Sequence, residues 1–168
     1  MVMRQLRFEL GEAYSTMMDL KYASVESATA SGDAGPNAVA KPKPQVIAKI
    51  NSLTKSAVDH FQDFIRSFHQ KTPDGESRLP DTFEDMNVRP VLCAFFHVAR
   101  LYTKFVDPDP KRRVVNMEVA RGFYKKLVDY VEAHPEAKDA VEQEYEISKE
   151  LVPMMEIKIK SIKSSVVR

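Results

Sequence analysis

Residues 45–70 read QVIAKINSLTKSAVDHFQDFIRSFHQ, and their spacing decides the fold. Ile47, Ile50, Leu53, Ala57, Phe61, Phe64, Ile65 and Phe68 recur three and four positions apart, the period of one helix face. Pro73, Asp74-Gly75 and Pro80 follow as turn and breaker signals. The same period extends in both directions with almost no strict alternation, so the chain is predicted to be all-α. A first helix is expected over about Met3–Ser27, with Met3, Leu6, Leu10, Ala13, Met17 and Leu20 on its inner face. A third begins near Pro90 and stops at Asp107-Pro108-Asp109-Pro110. A fourth covers about Lys111–Ala133, with Val114, Met117, Ala120, Tyr124, Leu127 and Val131 inward. A fifth opens at Pro135 and runs to about Ser164, kinked at Pro153 where a backbone bond is lost.

These five long antiparallel helices make two hairpins, helices 1–2 and 3–4, closed by the fifth as a cap. Its polar face carries Glu142, Glu144, Glu146, Lys149 and Glu150. Residues 1–168 are expected to form a single helical domain, and 28–44, poor in large apolar groups, a flexible linker. Leu79, Phe83 and Met86 predict that part of the Lys71–Val88 loop docks back onto the helices. No capping residue precedes the first helix, which suggests a piece of a longer protein. Phe8, Tyr14, Met18 and Tyr22 form a second stripe on that helix, expected to be left uncovered. It predicts either packing against a preceding helix or self-association.

Twenty-five basic and 24 acidic side chains leave a formal net charge of +1, which favours neither a nucleic acid nor a membrane as partner. The single Cys93 excludes an internal disulfide, and the chain has no signal peptide and no long apolar run. Both facts read as intracellular and soluble. His60, His69, His97 and His134 lie on different helices or their ends, with no ligand at tight metal spacing. Cys93 in an apolar helix is better read as a buried thiol than as a nucleophile. Asp107-Pro108-Asp109 with Glu118 at the twelfth position imitates a calcium loop, but Lys111 and Arg112 occupy positions needing a ligand and a glycine. The acidic run from Glu142 to Glu150 reads as a solvated face. Lys111-Arg112-Arg113 is too short, and too poor in aromatics, for a nucleic-acid site. No enzyme, no cofactor and no metal are expected.

Leu10-Gly11-x-x-Tyr14 with Ala57-x-x-x-Phe61, and Val98-Ala99-x-x-Tyr102 with Ala120-x-x-x-Tyr124, repeat one helix-hairpin grammar. Small residues let two helices approach, and aromatics fill the space left between them. This resembles a stretched tetratricopeptide (TPR) hairpin, a protein-binding scaffold. In that register Phe8, Glu12 and Thr16, and Phe96, Arg100, Thr103 and Lys104, would face the binding groove. For the two Phe, packing on neighbouring helices is an equally good reading.

Longer matches run through nearly the whole chain. They include Arg4-Gln5-Leu6-Arg7-Phe8-Glu9, Met17-Met18-Asp19-Leu20-Lys21, Lys49-Ile50-Asn51-Ser52-Leu53 and Val88-Arg89-Pro90. Val98-Ala99-Arg100-Leu101-Tyr102, Val128-Asp129-Tyr130, Glu132-x-His134-Pro135-Glu136-Ala137 and Ser148-Lys149-Glu150 follow in order. The sequence resembles the C-terminal region of the kinesin-family-binding protein (KIF-binding protein) family. The resemblance implies a TPR-like α-solenoid that grips kinesin motor domains and keeps them off microtubules. It also implies a cytoplasmic, cytoskeleton-associated place in axonal and mitochondrial transport, with neither nucleic acid nor membrane as partner. Family members are several hundred residues long and grip motors mainly through middle and N-terminal helices, so no family binding residue is carried over. A generic TPR-like module for another protein partner is the alternative.

Overall fold

The computed structural model describes residues 2–30 and 43–166. In it, five α-helices follow in chain order: α1 (Val2–Ala30), α2 (Pro44–Arg66), α3 (Asp85–Tyr102), α4 (Pro110–Ala133) and α5 (Glu142–Val166). A two-residue antiparallel ribbon, β1 (Gln70–Lys71) with β2 (Ser77–Arg78), joins α2 to α3. A 3-10 helix, Pro135–Ala140, joins α4 to α5. The all-α class therefore holds, with one small ribbon. Residues 31–42 of the expected linker lie outside the described residues, while 28–30 belong to α1 and Pro44 opens α2.

Cross-helix contacts fix the directions. Arg4 donates to Ser67 O at 2.7 Å and Phe8 packs on Phe61 and Phe64, so the start of α1 meets the end of α2. Asn51 bonds both N and O of Val106 at 2.9 Å, and Phe61 stacks on His97, which sets α2 antiparallel to the segment containing α3. Phe83 near Tyr130 and Phe96 near Tyr124 do the same for α3 and α4. Arg121 with Glu156 and Glu118 with Lys163 do so for α4 and α5. Besides its two sequence neighbours, α3 touches α1 and α5, whereas among the described residues α2 and α4 do not meet. The odd helices make one layer and the even helices another.

The core follows the apolar stripe of α2. Ile50, Leu53, Ala57, Phe61, Phe64 and Ile65 are buried, facing Val91, Leu92, Phe95 and Val98 of α3. Each large side chain so removed from water contributes about 1.5–3 kcal/mol before entropy is counted. The expected inner face of α4 is also buried at Val114, Ala120, Tyr124, Leu127 and Val131.

Helix α1 packs the other way round from expectation. Met3, Met17 and Leu20 are 64%, 51% and 68% exposed, while Met18 is fully buried and Phe8, Tyr14 and Tyr22 pack on the core. Gly11 decides the matter: a β-carbon there would meet the Phe61 ring at 3.0 Å, so only a bare backbone lets α2 come this close. The Gly11 side becomes the inner side and carries Phe8, Ser15 and Met18 with it.

Three boundaries also shift. The third helix starts at Asp85, one turn before the expected Pro90. It ends at Tyr102, because Thr103 and Lys104 turn tightly onto Arg100 O and Leu101 O. The expected fifth helix is broken at Val141, whose backbone (φ −142°, ψ 33°) is not helical, while its side chain and that of Ala137 are buried. The ribbon forms because Asp74-Gly75 supplies a turn in which Gly75 adopts φ 85° and donates to Thr72 O at 2.9 Å.

Candidate functional site

The layer formed by α1, α3 and α5 holds most of the groove candidates. Arg100 is its hub. Its guanidinium donates to both carboxylate oxygens of Asp19, at 2.9 and 3.1 Å, and to Ser15 Oγ at 2.6 Å. This fork ties α3 to α1 directly. Lys104, one turn on, holds its ammonium 4.9 Å above the Tyr22 ring. Thr103 is exposed and donates to Arg100 O, and exposed Thr16 donates to Glu12 O one turn earlier. Glu12 is exposed. Phe96 is half-buried, 5.7 Å from Tyr124 and edge-on to it.

Arg100 and Lys104 thus both reach across to α1, while Glu12, Thr16 and Thr103 are exposed with only local bonds. Phe8 does not join them: it packs between Phe61 and Phe64, the packing reading allowed for it. Asp19 and Ser15, which the sequence reading left out, complete the Arg100 contact from 81 and 85 residues away. No local pattern signals a pairing at that separation.

Between α3 and α5 the Cys93 thiol donates to Glu144 Oε1 at 3.8 Å. Burial, reinforced by the Glu144 charge, pushes this thiol up to about 11, so it stays protonated and poorly nucleophilic at neutral pH. His97, stacked on Phe61 at 5.0 Å, is pushed down to about 4 by burial and then by Arg100. It stays uncharged, and its Nδ1 is buried without a partner. The Tyr124 hydroxyl is pushed up to about 12 by burial. Each of these groups is held in its neutral form.

Among the described residues, no group of three His, Cys, Asp or Glu is placed to hold a metal ion. Nor is any described helix long and apolar enough to cross a membrane. What the odd-helix side offers is a fixed mosaic of guanidinium, ammonium, hydroxyl and aromatic groups. Such a surface suits contact with another protein.

The family model described as "KIF-1 binding protein C terminal" matches residues 1–162. The KIF-binding protein of Mus musculus is 36% identical over 164 residues, 98% of this chain and 24% of that protein. That of Homo sapiens is 35% identical over 164 residues with the same coverage, and that of Danio rerio 36% over 165. The chain spans about a quarter of the length of the curated relatives it matches. No solved structure matches it. With the family match running almost from end to end, this chain belongs to the KIF-1 binding protein C-terminal family.

Proposed function

We propose that this chain is the C-terminal module of a kinesin-binding adaptor, a TPR-like α-solenoid that works by surface contact and performs no catalysis. The observation carrying this reading is the match of residues 1–162 to a family whose relatives are named for binding KIF proteins. The two-layer packing of hairpins α1–α2 and α3–α4, with α5 closing the stack, supports the solenoid part. The partner is a kinesin motor domain, and the effect is steric: a stiff helical wall covers the motor's track-binding side and keeps it off the microtubule. Glu12, Thr16, Arg100, Thr103 and Lys104 supply polar contacts, each weak alone. The setting is the cytoplasm, on the cytoskeleton, in axonal and mitochondrial transport.

A pull-down of purified kinesin motor domains tests this, comparing a full-length relative with the 168-residue chain and with a Thr103→Glu, Lys104→Glu variant. The full-length protein retains motors, and the substitutions at the matching positions lower the retained fraction. A full-length relative that ignores every motor domain offered sinks the reading.

A further inference from the structure

Where the β1–β2 ribbon and the segment after it fold back against the last turns of α4, they wall an open cavity of about 630 Å³. Its lining is largely aromatic: Phe83 lies 5.3 Å from Tyr130, and buried Phe95 is exposed to the cavity from α3. Leu79 and Pro80 add apolar surface from the ribbon side. Two contacts hold this shape. Phe83 N donates to the Tyr130 hydroxyl at 3.2 Å, which ties the returning segment to α4, and Tyr130 stacks on His134 at 4.3 Å.

The charges on the rim are unevenly matched. Arg78 comes from the ribbon and Lys126 from α4. Among the described residues neither forms an ion pair. The Lys126 ammonium sits 5.0 Å over the Phe123 ring, a contact that leaves its charge in place. Of the two lining carboxylates, Asp129 is already taken, because Lys125 bonds both of its oxygens at 2.6 Å. Asp81 alone then faces two cations, so the rim is positive. Tyr130 adds a further donor: its oxygen accepts from Phe83 N, and its own proton is left to give.

An apolar lining under a cationic rim suits a large apolar side chain with a carboxylate beside it. A small molecule fits less well, since such ligands lose most of their surface to an enclosing pocket and this cavity is broad-mouthed. A peptide can instead lie across the mouth, drop one ring inside and set acidic neighbours against Arg78 and Lys126.

We propose that this cavity binds a peptide segment of a partner protein in which an aromatic residue is flanked by acidic ones. Glu12, Thr16, Arg100, Thr103 and Lys104 do not line it, so the inference stands apart from the kinesin reading. Fluorescence anisotropy tests it, using the 168-residue chain and a labelled pentapeptide with phenylalanine between two aspartates. Binding saturates below about 1 mM. Replacing the phenylalanine of the peptide by alanine abolishes saturation, and replacing both aspartates by asparagine weakens binding about tenfold. On the protein, Arg78→Glu with Lys126→Glu lowers affinity at least as far. Lys111→Glu with Arg113→Glu, the same change of charge at the opposite end of α4, leaves it unaltered. Amide shifts on titration gather at Arg78, Leu79, Lys126 and Tyr130. A peptide that fails to saturate overturns the proposal. So does one that binds equally well with alanine at its centre, or one that both double variants weaken alike, which would mean general charge attraction.

Discussion

Gly11 and His97 are two residues whose neighbours dictate their properties. The Phe61 ring fills the space where a β-carbon at Gly11 would sit, 3.0 Å from three ring atoms, and Phe61 is fully buried with nowhere to retreat. Gly11→Ala should therefore destabilise the chain by about 1–3 kcal/mol of overpacking strain. The check is a lower urea midpoint with an unchanged slope. His97 has its folded value depressed to about 4, against 6.5 for the free side chain. The groups around it are Arg100, Glu144 and Asp19, and burial outweighs them all. Its contribution is whole above pH 6.5 and is lost as pH falls towards 4, because the unfolded chain takes up the proton first. At 1.36 kcal/mol per unit the loss amounts to about 3 kcal/mol at most. His97→Phe, which keeps the stack on Phe61, should flatten unfolding free energy against pH over that window.

Among the helices, the Arg100 fork joins two elements that share no turn. Arg100 is 28% and Asp19 43% exposed, so solvent screens the pair and its coupling should be about 1 kcal/mol. A double-mutant cycle with Arg100→Met and Asp19→Asn measures it, and a coupling near zero would reduce the fork to decoration. The helices legible from sequence were those with one apolar face. In α2 and α4 the three-and-four spacing picks out a single side, and the core lies there. In α1 two apolar stripes compete, and periodicity alone cannot rank Met3-Leu6-Met17-Leu20 against Phe8-Tyr14-Met18-Tyr22. Gly11 held the answer, but only through the position of Phe61, 50 residues away. The break at Val141 was hidden for a similar reason: burial of Ala137 and Val141 overrides the helical preference of the residues around them. Of the groove candidates, those on α3 were placed by their own helix. Their tie to Asp19 and Ser15 was invisible until the fold brought those residues together.

Across the molecule, α3 is the best-protected rod, with Val91, Leu92, Ala94, Val98 and Leu101 wholly removed from solvent. Native-state hydrogen exchange should find its amides the slowest in the chain, opening only with global unfolding. Amides of α1 between Thr16 and Ser24, where one side of the helix stands open, should exchange measurably sooner. Equal rates in the two helices would contradict the layered packing. The arrangement has a mechanical consequence. Since, among the described residues, α1 does not meet α5 and α2 does not meet α4, each of these rods is gripped by near neighbours in the stack. Tension applied at the two ends of such a ladder peels the outer rods first, so the chain lengthens in instalments and absorbs work where a single tightly knotted core would snap.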